Sequence, residues 1–251
     1  MISVSSTSFS AQSLESTLEM VSKEFQHWEI FAEGEHYLPH ILARFGELAP
    51  SYDLKYSIHA PISDVNIASM SERMREAATL ELMSTMEGAI QMGIETITVH
   101  PGYRPFVVKG MEDKAVMRAA KSLRTLDRVS REFGLRVAVE NMPEFFMMLG
   151  KTATDMEALI DGSDLGICFD IGHAHTAGQM DELLALKDRF INVHIHDNNG
   201  GHDEHLTIGD GEIDFQYVLS KLKGYKGNYV IETKTMDSAL RSRDILKQML
   251  G

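Results

Sequence analysis

The sequence predicts an α/β protein, one closed (β/α)8 TIM barrel spanning residues 1–251 as a single domain, and three observations carry that prediction. Eight short apolar runs of β character alternate with eight runs of helical periodicity. The connections between successive β-runs are too long for hairpins, and the runs are rich in Val and Ile, as strands of a parallel sheet require. Eight such units in 251 residues suit a closed barrel better than an open sheet. A doubly wound sheet would want a Gly-rich phosphate fingerprint after the first run, and none is there.

Taken in order, Ile2–Ser5 reads as strand one, and Leu14, Leu18, Val21 and Phe25 recur at helical spacing within 10–25. HWEIF (27–31) is strand two, with 37–48 as its helix. Strand three covers 54–59 and is followed by the loop APISD (60–64) and a long helix over 71–92 that Gly93 ends. TITVH (96–100) is strand four, stopped by Pro101-Gly102, with a helix over 113–133. LRVAVE (135–140) is strand five, broken by Asn141-Met142-Pro143, and its helix covers 153–160. LGICFD (165–170) is strand six, with a short helix over 181–186. Strand seven opens the stretch FINVHIHDNNGGHDEHLTIGDG (190–211), and 215–222 is helical. NYVIE (228–232) is strand eight, and 238–250 closes the chain.

Composition bounds the partners. Hydrophobic residues at 43% and charged residues at 24% describe an ordinary folded chain rather than a disordered one. Lys and Arg number 24 against 37 Asp and Glu, and the net charge of −13 works against nucleic acid as a partner. The single Cys168 excludes an intramolecular disulfide and a Cys-rich zinc site, and it fits a reducing, cytoplasmic setting. No basic start followed by an apolar stretch marks a signal, and no run approaches the length that crosses a bilayer, so no membrane is expected.

The chemistry gathers at strand ends. Strand seven runs into His194, His196, Asp197, His202, Asp203 and His205, all of types that ligate metals, with Asn-Asn-Gly-Gly forming a turn among them. Strand three ends at His59, four at His100, five at Glu140, six at Asp170 with His173 just beyond, and eight at Glu232. In a barrel those ends converge on one rim, so residues spread along the chain meet in one pocket. The nine residues His59, His100, Glu140, Asp170, His173, His194, Asp203, His205 and Glu232 offer only nitrogen and oxygen. That donor set suits Zn, Mn, Co or Mg in open, catalytic coordination.

The segments SIHAP (57–61), TVHPG (98–102), VEN (139–141), CFDIGHAH (168–175), HIHD (194–197), DEHLTIGDG (203–211) and VIET (230–233) resemble the xylose isomerase-like TIM-barrel superfamily, which includes endonuclease IV. The resemblance to its sugar isomerases and epimerases implies one divalent metal on Glu140, Asp170, His194 and Glu232. In that reading the two glutamates move protons beside a carbonyl through an enediolate, and His173 binds a substrate oxygen. The substrate would be a sugar or sugar phosphate; related isomerases often associate, which makes a homo-oligomer possible and leaves the oligomeric state open. The resemblance to endonuclease IV implies up to three zinc ions on all nine residues and cleavage of a phosphodiester. Against that alternative stand the acidic balance and the loops AEGEHYLPH (32–40) and PISDVNIAS (61–69), which lack basic and intercalating residues. Intact Glu140 and Glu232 argue against a barrel that holds metal without catalysis.

Weaker expectations attach to other residues. Arg104, Lys109 and Lys234 could meet a substrate phosphate or serve as exposed solubilising charge. His175, His196 and His202 neighbour the ligands and could orient them, while His196 shares strand parity with His194 and could equally pack inside the barrel. Met142, Phe145, Phe146, Met147 and Met148 could form an apolar wall that dries the site, though packing under a loop is the expected account; Cys168 is expected to be inert, and Trp28 to line a sugar pocket or pack in the core.

Overall fold

The computed structural model describes residues Met1–Gly251. Eight strands, β1 (Ile2–Ser5), β2 (His27–Phe31), β3 (Lys55–His59), β4 (Thr96–Val99), β5 (Arg136–Glu140), β6 (Gly166–Asp170), β7 (Phe190–Ile195) and β8 (Asn228–Ile231), pair in sequence order. Every pairing is parallel, and β1 closes on β8 through Ser3 opposite Val230. No sheet edge is left open.

Nine α-helices wrap the barrel: α1 (Leu14–Ser22), α2 (Leu38–Leu48), α3 (Glu72–Gln91), α4 (Glu112–Phe133), α5 (Ala153–Ile160), α6 (Ile171–Thr176), α7 (Met180–Leu184), α8 (Phe215–Lys221) and α9 (Met236–Leu250). The first helix is shorter than the 10–25 expected, because the Ser13 side chain caps it by accepting from the Ser16 amide. Helix α6 was not expected and makes nine helices rather than eight. Its N-cap is Asp170, whose carboxylate accepts from the His173 amide at 2.6 Å. His100 and Glu232 each stand one residue past the strand end assigned to them. No helix is long and apolar enough to cross a membrane.

Strand alternation divides the labour. Ile58, Ile97, Val137, Val139, Phe169, Val193 and Ile231 point outward and pack against the helices in one continuous core. Trp28 belongs to this layer, fully buried with its ring edge-on to His36 at 5.2 Å, so core packing accounts for it and the sugar-pocket reading falls. The opposite parity points into the barrel and is unusually polar: Ser57, Thr98, Asn192 and Glu29 are all fully buried there. Ser57 Oγ and Asn192 Nδ2 donate to Glu29 at 2.8 and 2.7 Å, and Asn192 Nδ2 reaches Thr98 Oγ1 at 3.2 Å. This lattice is the floor on which the rim residues stand.

Candidate metal centre

Glu140 is the hub of the rim. Its Oε2 lies 3.1 Å from His59 Nε2 and 3.1 Å from His100 Nε2, and its Oε1 lies 3.1 Å from His194 Nδ1. Asp170 and Glu232 complete the group, with His194 Nδ1 3.6 Å from Glu232 Oε1 and 3.9 Å from Asp170 Oδ2. One ligand atom from each of Glu140, Asp170, His194 and Glu232 falls within 4.8 Å of the others, and His59, Glu140 and His194 meet the same test. Thus the four residues expected to hold a single ion converge, and His59 and His100 share the Glu140 carboxylate beside them.

A second group adjoins the first. His173 Nε2 and His205 Nε2 lie 3.2 and 3.1 Å from Asp203 Oδ2, and His196 Nε2 lies 3.4 Å from Asp203 Oδ1 and 3.3 Å from Asp170 Oδ1. These four residues also bring ligand atoms within 4.8 Å of one another. His173, expected to bind a substrate oxygen in the isomerase reading and a metal in the multinuclear one, has Nδ1 2.8 Å from the Asn141 carbonyl and its other nitrogen facing Asp203. His196 is here because position 172 is Gly: a Cβ there would sit 2.0 Å from the imidazole Cε1. His205, stacked on His196 at 4.0 Å, carries the one positive φ outside glycine, 51°, so strained backbone aims this ring.

Local sequence explains how the loops hold these groups. Asn141 brackets Asp170, accepting from its amide at 2.8 Å and donating to its carbonyl at 2.9 Å, which fixes the end of β6 against β5. Asp197 looks like a ligand in the sequence but is not one here. Its buried carboxylate accepts from the amides of Asn198, Gly209, Gly211 and Ile213 at 2.9, 2.8, 3.0 and 3.2 Å, and so ties down the loop that carries Asp203 and His205.

The electrostatics are those of a cation site. Burial pushes the Glu140 carboxyl upward, but the imidazoles of His194 and His100 outweigh it and hold the group well below the usual carboxylate range. Burial disfavours the charged form of His173, yet Asp170 and Asp203 raise it to about 10; His205 is raised to about 9, mainly by its hydrogen bond to Asp203. Asp203 is driven far below the carboxylate range against its own burial, chiefly by His173. Four carboxylates, Glu140, Asp170, Asp203 and Glu232, gathered among histidines in this way demand positive charge, which a divalent ion would supply. Asp170 Oδ2, Asp203 Oδ1 and both ring nitrogens of His196 are buried without a hydrogen-bond partner. Orphaned oxygen and nitrogen atoms converging in this way fit a divalent ion.

Of the remaining expectations, Arg104 pairs with Glu112 at 3.1 Å and also bonds the Phe146 carbonyl, while Lys109 and Lys234 are exposed. His202 is exposed and His175 half-buried with its Nε2 unpartnered, and Cys168 is a buried free thiol pushed upward by burial. Met142 is buried and Met147 and Met148 are half-buried, but Phe145 and Phe146 are exposed rather than packed under the loop. Sequence reasoning missed Glu29, whose Oε1 lies 2.8 Å from His194 Nε2. Its signal was an acidic residue in mid-strand with the parity of the ligand side.

Comparison with known proteins agrees with this architecture. The family model described as "Xylose isomerase-like TIM barrel" matches residues 19–249. An uncharacterized protein of Methanocaldococcus jannaschii is 40% identical, with 98% of this chain and 88% of the relative covered. The crystal structure of a "D-tagatose 3-epimerase-like protein" is 38% identical with a TM-score of 0.92, over 99% of this chain and 96% of that one. A "Probable endonuclease 4" of Acholeplasma laidlawii is 29% identical over 64% of this chain and 60% of its own length.

Proposed function

Because this chain belongs to the xylose isomerase-like TIM barrel family, we propose that it is a divalent-metal-dependent isomerase or epimerase of a sugar or sugar phosphate. The observation that carries this reading is the convergence of Glu140, Asp170, His194 and Glu232, two glutamates and two further ligands, in one buried group. The similarity to a D-tagatose 3-epimerase-like protein supports a sugar as substrate.

Glu140, Asp170, His194 and Glu232 would hold the divalent ion, which would supply Lewis acidity toward the carbonyl and hydroxyl oxygens of the substrate. Glu140 or Glu232 takes the proton from the carbon beside the carbonyl, and the C–H electron pair moves into an enediolate. The other glutamate returns a proton to the opposite face for epimerisation, or a proton is placed on the neighbouring carbon for isomerisation. Arg104, Lys109 and Lys234 lie on the loops after β4 and β8, where a phosphate on the substrate would find cations; serving as exposed or paired surface charge is the other reading of each.

Elemental analysis of protein purified without chelator tests the site. About one Mn, Co, Mg or Zn per chain, with activity on a panel of ketoses and their phosphates that a chelator abolishes, is the expected result. The second group, His173, His196, Asp203 and His205, favours a second reading, a multi-zinc phosphodiesterase, for which three zinc ions and cleavage of abasic-site DNA would be the evidence.

A further inference from the structure

We propose that Glu29 is a positioning residue for the ion: its carboxylate accepts a hydrogen bond from Nε2–H of His194, which keeps the proton on that nitrogen and leaves Nδ1 of the ring free to ligate. The inference rests on reading Glu140, Asp170, His194 and Glu232 as the ion's ligands. Glu29 sits in the middle of β2, fully buried inside the barrel. A carboxylate in that position is costly unless every lone pair finds a donor. No Lys or Arg meets it. Its Oε2 is taken by Ser57 Oγ and Asn192 Nδ2 at 2.8 and 2.7 Å. Its Oε1 is a buried acceptor with no aligned donor, and His194 Nε2 lies 2.8 Å from it.

The other side of the same imidazole faces the ligand group, with Nδ1 3.1 Å from Glu140 Oε1 and 3.6 Å from Glu232 Oε1. A neutral imidazole has one donor and one acceptor nitrogen, so ligation through Nδ1 requires the proton on Nε2. Asn192 Nδ2 also lies 3.3 Å from Nε2, but it is closer to Glu29 Oε2 at 2.7 Å and to Thr98 Oγ1 at 3.2 Å, and those two acceptors suffice for its two hydrogens. The Nε2 proton is therefore left for Glu29. Ser57, Asn192 and Thr98 hold the carboxylate and its amide neighbour in place, so the ring is fixed in angle as well as in tautomer. Partners of this kind behind a ligating histidine typically govern ion affinity by about 10- to 100-fold.

The test is ion affinity, measured by competition with a chelator using Mn²⁺ and Zn²⁺ alone, in wild type, Glu29→Gln and Glu140→Gln. The Gln oxygen preserves an acceptor for Ser57 and Asn192, but its amide turns a donor toward His194. Glu29→Gln is expected to weaken binding by about 10- to 100-fold while the apoprotein melts close to wild type, and excess metal restores turnover. Affinity within twofold of wild type, or a loss matched by collapse of the apoprotein, overturns the proposal. A readout on the wild type stands apart from any folding defect: nitrogen-15 NMR of the ion-loaded protein is expected to show the His194 proton on Nε2, and a proton on Nδ1 overturns it. If Glu140→Gln keeps full affinity, the ligand reading itself fails; if Glu140→Gln loses the ion and Glu29→Gln does not, only the role of Glu29 fails.

Discussion

Replacing Asp197 by Ala removes the one group that satisfies four backbone amides in the loop following β7. Both carboxylate oxygens are engaged, Oδ1 by Asn198 and Ile213 and Oδ2 by Gly209 and Gly211, at 2.8–3.2 Å and out of solvent. Hydrogen bonds to a charged acceptor contribute about 1.5–3 kcal/mol each, but four bonds in one loop do not add independently. A loss of about 3–5 kcal/mol follows, the size seen when a buried charged group is taken from its partners. At about 2–4 °C per kcal/mol for a chain of this length, the melting temperature should fall by about 10 °C. Asp197→Asn should cost nearly as much, because its amide meets backbone donors at two of the four positions. The assay is thermal unfolding followed by circular dichroism, with and without chelator. A fall of under about 2 °C on the same scale would refute the argument. So would a fall that vanishes in chelator, since that is the behaviour of a metal ligand rather than of a loop anchor.

Glu140→Gln and Glu232→Gln are each expected to cut turnover by at least about 10²–10⁴-fold, the usual contribution of a positioned base, and full turnover in both would sink the assignment. His27 and His36 are buried and lowered to about 4, mainly by burial, so the folded state binds fewer protons than the unfolded one between about pH 6.5 and 4. Their contribution is complete above pH 6.5 and is lost as the pH falls through that window, about 3 kcal/mol each at full extent. Unfolding measured from pH 7 to 4 should show the decline, and His36→Gln should flatten it; an unchanged slope in that variant contradicts the cause. If Arg104 meets a phosphate, Arg104→Ala raises KM for a phosphorylated ketose by about tenfold or more and leaves the free sugar alone, whereas equal effects on both point to its pairing with Glu112 as its whole role.

The barrel was legible because its strands announce their own ends. β4 runs into His100-Pro101-Gly102 and β5 into Asn141-Met142-Pro143, so both the boundary and the ligand at it could be read. Glu140, Asp170 and His194 converge for the same reason: neighbouring parallel strands in register deliver side chains near their ends to one level, whereas His173, Asp203 and His205 come from beyond the strands. What the sequence hid was competition for those side chains. Asp170 caps a six-residue helix too short to show periodicity, and the carboxylate of Asp197 is consumed by backbone amides that only the folded loop brings near. Glu29 hides in HWEIF because periodicity reports which way a residue points, not what it meets across the barrel. Its partners Ser57 and Asn192 come from β3 and β7.

Exchange with solvent deuterium tests proton transfer beside a carbonyl most directly. Metal-loaded protein incubated in D₂O with a panel of ketoses and ketose phosphates is expected to place deuterium on the carbon next to the carbonyl of one of them. The exchange should stop with chelator and in Glu140→Gln and Glu232→Gln. Absence of exchange in every ketose, together with cleavage of abasic-site DNA by the same preparation, would contradict the account and assign the site to phosphodiester chemistry.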